Sequence, residues 1–418
     1  MNILHINKSD NYGGAARAAY SLHRELINAG INSKMLVQLK YTRDTSVATL
    51  VNSTTLSKII SKFSSTLDSL PLRLYKEKRP FFNLSPGLSP NPILRKKIHQ
   101  LSPNIVHLHW ITGGFVPISE VPKLSAPIVW TLHDMWPFTG GCHYAGGCTQ
   151  YLASCGKCPQ LGSNKEFDLS RKVWKQKHEL WAHKDLTIVS ISTWLADCAK
   201  SSSLLQDSRI EIIPNGLNLA LYKPSDKFAA RKRWSLPLDK KLVLFGTAVK
   251  MNILQKGFRY LYQALQYLMS SDWRDKVELV VFGPPNSLNY SKMGIKVHHV
   301  GYLMDDASLV SLYSAADVMV SSSVQEAFGL TLIEAMSCGT PTVAFANAGP
   351  LDIIDHKKNG YLAEPFSSVD LADGISWVLE NQSLQSPLSL KARARMEETF
   401  DISKVSRQYA DLYQEISE

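Results

Sequence analysis

No stretch of this 418-residue chain approaches the roughly 20 consecutive apolar residues that a membrane-spanning helix requires. The amino terminus, Met1 to Asn7, also lacks the basic start and long apolar run of a secretory leader. Together these absences predict a cytoplasmic protein. Cysteine is scarce, six residues in all, and a reducing compartment makes a disulfide framework an unexpected use for them. The dinucleotide fingerprint Gly-x-Gly-x-x-Gly does not follow the first apolar strand. A nucleic-acid site built on cysteine would need cations and aromatics gathered around it, yet Lys157 is the one cation between Cys142 and Cys158.

What is present is enough apolar material, 44% of residues, to bury two full cores. The net charge of +10 suits an anionic partner: a nucleotide sugar, an acidic membrane surface or nucleic acid. Charge alone does not choose among them. Strand and helix patterns alternate through both halves, which predicts an α/β protein of two doubly wound domains.

Residues 317–345 carry the densest pattern. Asp317 to Ser322 predicts a short buried strand, Thr331 to Cys338 a helix stopped by Gly339, and Pro341 to Phe345 the next strand. The joint puts Gly329 where the helix begins. The backbone N–H groups of Phe328, Gly329 and Leu330 and the positive end of the helix dipole then point out of the sheet, a place for phosphate. Glu326 precedes the helix and Glu334 lies about one turn into it. Acids flanking an anion site make sense if they hold neutral hydroxyls, on a ribose and on a sugar.

Glu326 and Glu334, with Phe328-Gly329-Leu330 between them and Cys338-Gly339-Thr340-Pro341 at the exit, closely resemble the nucleotide-sugar signature of the retaining glycosyltransferases of family 4. That resemblance extends from Met1 to about residue 380. It implies the GT-B fold, two Rossmann-like domains facing an interdomain cleft, and a retaining transfer from a UDP-, GDP- or other nucleotide sugar to a saccharide or lipid-linked acceptor. Residues 1–213 would form the acceptor-side domain, 214–395 the donor domain and 396–418 a last helix crossing back. The Pro214-Asn215-Gly216 turn marks the boundary.

Several residues acquire roles from the resemblance. Gly13 and Gly14, opening a helix after the first strand, would lie over the donor's diphosphate, and Lys256, followed by Gly257, would grip it. His133, at a strand end, would contact the donor sugar and the acceptor. His109 ends the preceding strand and is placed on the acceptor side. Gly283 closes another strand at the ligand edge. The family's arginine is missing: Gly246 is followed by Thr247, so either Lys250 substitutes or Lys256 and backbone amides hold the phosphates alone. Breaking a glycosyl phosphate bond leaves negative charge on the diphosphate, which Lys256 and the amides of residues 328–330 would stabilise. Glu326 would orient sugar hydroxyls and Glu334 the ribose. No certain carboxylate for a double displacement is evident, so same-face attack assisted by the leaving phosphate is expected. The scheme requires no catalytic metal.

Two segments need separate accounts. Near residues 136–162 a glycine-rich insertion holds Cys142, Cys148, Cys155 and Cys158, a spacing compatible with a structural zinc, with an iron–sulfur cluster, with paired disulfides or with four free thiols. The insertion resembles the subset of these transferases found in bacterial exopolysaccharide gene clusters. Leu56, Ile59, Ile60, Phe63, Leu67 and Leu70 form the apolar stripe of a helix, with Lys58 and Lys62 beside it and Arg73, Lys76, Lys78 and Arg79 after it. Packing of that stripe on its own domain is the first expectation. The second is contact with the anionic inner leaflet of a membrane. Rival functions are a sugar-nucleotide epimerase on the same fold, told apart by product mass, and a cysteine-cluster nucleic-acid binder.

Overall fold

The computed structural model describes residues 1–51, 54–75, 83–246, 255–283, 294–303, 305–381 and 386–418. Two compact units result, Met1–Pro214 with Val405–Glu418, and Asn215–Lys404.

In the first unit, β1 (Asn2–Ser9), β2 (Asn32–Leu39), β3 (Val47–Thr49), β4 (Ile105–Leu108), β5 (Ile128–Leu132), β6 (Leu186–Ser190) and β7 (Arg209–Ile212) form one parallel sheet in the order β3-β2-β1-β4-β5-β6-β7. Its central strands β4, β5 and β6 are buried at every residue, His107, Thr131, Thr187 and Ser190 included, as strands of a sheet covered on both faces are. The strand order reverses between β1 and β4, the switch point where such sheets open a crevice beyond their carboxyl ends. The helix Ile402–Ser417 contributes Val405, Tyr409, Leu412 and Tyr413 to the core containing Ile3, Ile105, Val129 and Val189.

The helix Thr54–Ser69 overturns the first expectation for its stripe. Leu56, Ile59, Phe63, Leu67, Leu70 and Leu74 are 38–82% exposed, whereas Ser57, Ser61, Ser64 and Asp68 are buried. The inward face is fixed by polar bonds: Gln38 donates to Ser64 Oγ at 3.0 Å, Ser61 Oγ donates to Gln38 at 3.3 Å, and Asp68 accepts from the Leu88 N–H at 2.9 Å. Small serines and Gly114 allow close approach, since a Cβ on Gly114 would sit 2.4 Å from the Ser64 carbonyl oxygen. Lys76, Lys78 and Arg79 lie outside the described residues.

The second unit repeats the plan. Strands β8 (Lys241–Gly246), β9 (Val277–Phe282), β10 (Val297–Gly301), β11 (Val318–Ser321), β12 (Thr342–Phe345) and β13 (Gly360–Ala363) are parallel in the order β10-β9-β8-β11-β12-β13. Its switch point lies between β8 and β11. Val243, Phe245, Leu261, Leu265, Leu279, Val281, Val320 and Val343 build the core beneath it. Among the described residues, no helix is long and apolar enough to cross a membrane.

Candidate functional site

Two joints meet at the carboxyl ends of β8 and β11. Gln255 to Gly257 lead into the helix Phe258–Met269, and residues 322–329 lead into the helix Leu330–Ser337. Their backbones are stitched together: the Val324 N–H donates to the Gln255 carbonyl at 2.8 Å, and Ser322 Oγ to the Lys256 carbonyl at 3.0 Å. This brings Lys256 Nζ to 2.5 Å from Glu326 Oε2, which also accepts from Ser323 Oγ at 3.2 Å. The ion pair is only a quarter exposed on the lysine side and less on the glutamate. Its partners are therefore matched in advance, and an incoming anion must displace one from the other.

Gly329 opens the Leu330–Ser337 helix with φ +119°, no side chain caps that start and no acid occupies its first turn. The local charge is thus the positive end of the helix dipole. Glu334 is buried and accepts from Tyr313 Oη at 2.7 Å. Phe328 is buried with its ring against Phe400, and its backbone packs on Gly349, where a Cβ would lie 2.6 Å from the Phe328 nitrogen. Gly283 follows β9 with φ +127°, and its N–H already donates to the Gly301 carbonyl at 2.8 Å, a sheet role. Thr247 and Lys250 lie outside the described residues.

In the first unit Gly13, at φ +97°, precedes the helix Gly14–Asn28, which begins without a capping side chain or a first-turn acid. The adjacent strand ends carry histidines: alternation puts Ile3 and His5, Ile105 and His107, and Val129 and Thr131 on one face, and the register sets His5 beside His107 and His107 beside Val129, with Thr131 one step further along. His109 is 4% exposed, with both ring nitrogens turned to other histidines, so the acceptor-side position expected for it is corrected: it stands behind His133. Burial and the neighbouring rings hold the His109 pKa well below its ordinary value, and burial lowers that of His133 to about 4. Asp134 fixes the turn after His133, accepting from Trp110 Nε1, the Trp136 N–H and His143 Nδ1 at 2.7–2.8 Å.

Cys142, Cys148, Cys155 and Cys158 line one small pocket and form no disulfide. One sulfur already acts as an acceptor: the Gly140 N–H donates to Cys155 Sγ at 3.2 Å. Burial pushes the thiols of Cys142 and Cys155 up to about 12. Among the described residues, however, the one group of three or more metal-ligating atoms within 4.8 Å of one another is His5, His107 and His109. The four sulfurs are thus wider apart than in a closed tetrahedral site. The histidine trio is no better a cage, since His107 faces Tyr413 Oη and Thr131 Oγ1, and His109 faces His5 and His133.

Sequence reasoning missed Tyr313, Ser323 and His5. Tyr313 and Ser323 carry no spacing signal. His5 had one, a polar ring set between Leu4 and Ile6 in the apolar stretch of the first strand.

The family model described as Glycosyltransferase Family 4 matches residues 12–221, and that described as Glycosyl transferases group 1 matches residues 226–398. The chain is 26% identical over 361 residues to the putative colanic acid biosynthesis glycosyl transferase WcaC of Escherichia coli strain K12, covering 82% of this chain and 83% of that one. Two solved structures share the fold over nearly the whole length. Sucrose-phosphate synthase from Thermosynechococcus elongatus aligns with a TM-score of 0.70 at 18% identity, over 100% of this chain and 99% of that one. Anabaena HepE, in complex with UDP and glucose, aligns with a TM-score of 0.65 at 18% identity, over 99% of each.

Proposed function

Because the chain belongs to glycosyltransferase family 4 and has the GT-B fold, we propose that this glycosyltransferase moves a sugar from a nucleotide donor to a saccharide or lipid-linked acceptor, with retention, in bacterial surface or exopolysaccharide synthesis. The observation that carries the reading is the Lys256–Glu326 pair beside an uncapped helix start at the second sheet's switch point. A donor diphosphate takes Lys256 from Glu326 and lies against the amides of residues 328–330, while the released carboxylate turns to sugar hydroxyls. Tyr313 fixes the orientation of Glu334, which holds the ribose. The family resemblance assigns Gly13 and Gly14 to the diphosphate and His133 to the sugar. No catalytic metal takes part. Since HepE is described with UDP and glucose, UDP-sugars are the first donors to test. A panel of nucleotide sugars should contain one that raises the thermal midpoint markedly at saturation. If none does, and none yields free nucleotide in the presence of bacterial glycolipids, the reading fails.

The outward stripe of the Thr54–Ser69 helix supports docking on an anionic membrane at its inner face. Its large apolar side chains stand beside Lys58, Lys62 and Arg73, the composition of an interfacial helix. The protein should co-sediment with phosphatidylglycerol-containing vesicles, less so in high salt, and Ile59→Asp with Phe63→Asp should abolish this. Failure to bind such vesicles at any ionic strength would sink the membrane reading.

The cysteine pocket is the site we assign to a structural zinc ion, held by Cys142, Cys148, Cys155 and Cys158. Cys155 Sγ, which already accepts an N–H bond, suits a thiolate, and a cation reverses the upward shift that burial imposes on the thiols. Lys177 stands beside this pocket: fully buried, it bonds the carbonyls of Trp136 and Thr139, and burial lowers its pKa to about 7, a shift that negative charge on Cys142, Cys155 and Asp134 opposes. Drawing the sulfurs together requires the glycine-rich loop to close, which metal binding is strong enough to drive. Anaerobically purified protein should carry about one zinc per chain. Less than about a tenth of an equivalent would refute the assignment.

A further inference from the structure

The strands flanking the first sheet's switch point carry a line of histidines that donor binding does not explain. His5 lies on β1, His109 just after β4 and His133 just after β5. His5 Nδ1 is 2.9 Å from His109 Nε2, and His109 Nδ1 is 3.2 Å from His133 Nε2. His5 and His109 are buried, and His133 is partly exposed. Burial, reinforced for His5 and His109 by the neighbouring rings, keeps all three neutral at ordinary pH.

A neutral imidazole carries one N–H, and each of the two contacts needs one proton between its nitrogens. Only two arrangements meet both demands. In the first, every ring is protonated on Nδ1: His5 donates to His109, His109 donates to His133, and His133 keeps an Nδ1–H directed away from the line. In the second, every ring is protonated on Nε2, the bonds run the other way, and His133 presents a bare Nδ1. The buried end of the line distinguishes them. His5 Nε2 has no hydrogen-bond partner and no contact with solvent. The first arrangement leaves a lone pair there, the second an N–H, and an orphaned buried N–H is the costlier of the two.

We propose that His5 and His109 are positioning residues that hold His133 protonated on Nδ1, so that His133 meets the substrate as a hydrogen-bond donor and not as a base. The donor role rests on the proposed contact between His133 and the sugar; the tautomer does not. An Nδ1–H suits an oxygen that gains negative charge during transfer, and it cannot accept the proton that the attacking hydroxyl must lose. His107 stays outside the line because both its nitrogens are engaged by Tyr413 and Thr131.

Histidine-selective 15N NMR of the full chain reads the tautomer directly, with the His133 signals identified by their loss in His133→Asn. Wild-type protein at neutral pH should show a protonated Nδ1 and an unprotonated Nε2 for His133. His5→Asp puts an acceptor where the terminal donor stood, which calls for an Nε2–H on His109 and should shift His133 towards Nε2 protonation, while His5→Asn, whose amide replaces the Nδ1–H, should keep the wild-type signature. Turnover of His5→Asp should fall about tenfold with donor KM within about twofold, and His5→Asn should keep most of the wild-type rate. A wild-type His133 protonated on Nε2 overturns the proposal, a measurement that needs no variant to fold beyond the one used for assignment. A His133 tautomer unmoved by His5→Asp overturns the positioning role of His5. A changed tautomer with unchanged turnover overturns the donor role and leaves the tautomer assignment standing.

Discussion

Lys256→Ala should lower kcat/KM for transfer by about 10²–10³-fold, the loss typical of removing one preorganised group from a developing anion. The structure also predicts how that loss is divided. Lys256 and Glu326 neutralise each other at 2.5 Å. Taking away the lysine leaves a mostly buried carboxylate unpaired beside the helix start, which repels the diphosphate as well as failing to stabilise it. Donor KM should therefore rise as kcat falls, and nucleotide-sugar stabilisation of the fold should disappear. Glu326→Ala should behave differently. It releases Lys256 from its partner, so donor KM should hold or decrease, while kcat falls by a comparable factor because the sugar is no longer oriented. Steady-state kinetics of the two variants separates these cases. Rates within about threefold of wild type in either variant would remove the pair from the site.

How far this site could be read before the structure differs from residue to residue. The strand at 317–322, the helix at 331–338 and the strand at 341–345 recur as Val318–Ser321, Leu330–Ser337 and Thr342–Phe345. Local apolar runs and the glycine at each helix end determine such bounds, and both are visible in sequence. The Lys256–Glu326 contact spans 70 positions and His5–His109 spans 104. No periodicity encodes these pairs; they follow from strand order, which places β8 beside β11 and β1 beside β4. The Thr54–Ser69 helix shows a different gap. A stripe at i, i+3, i+4 spacing says which side chains share a face, not what that face meets. The serine face was equally regular, and Gln38, Asp68 and Gly114 make it the inner one. His109 illustrates the same point at a strand end, where the position was legible but the ring in front of it was not.

Gly257→Ala, the other substitution with a large expected effect, should unfold or displace the joint on which Lys256 stands. Gly257 has φ +63°, and a Cβ there would lie 1.8 Å from the Ser322 carbonyl oxygen, a backbone atom that cannot rotate aside. The Ser322 hydroxyl bonds the Lys256 carbonyl and Val324 bonds Gln255, so the clash acts on both joints of the site at once. Left-handed strain alone costs about 1 kcal/mol. Separating the two backbones adds the loss of those hydrogen bonds and of the packing beneath them, for a total on the order of 3–5 kcal/mol. For a unit of this size that corresponds to a fall of roughly 10 °C in its melting midpoint. Gly301→Ala is the matched comparison within the same unit: φ is +86°, but nothing lies within 4 Å of the added Cβ. It should cost only the conformational strain, a few degrees at most, and leave donor stabilisation intact. If scanning calorimetry finds the two variants equally stable, with donor binding preserved in both, then the close approach of Gly257 to Ser322 does not hold Lys256 in place, and the site's preorganisation has another source.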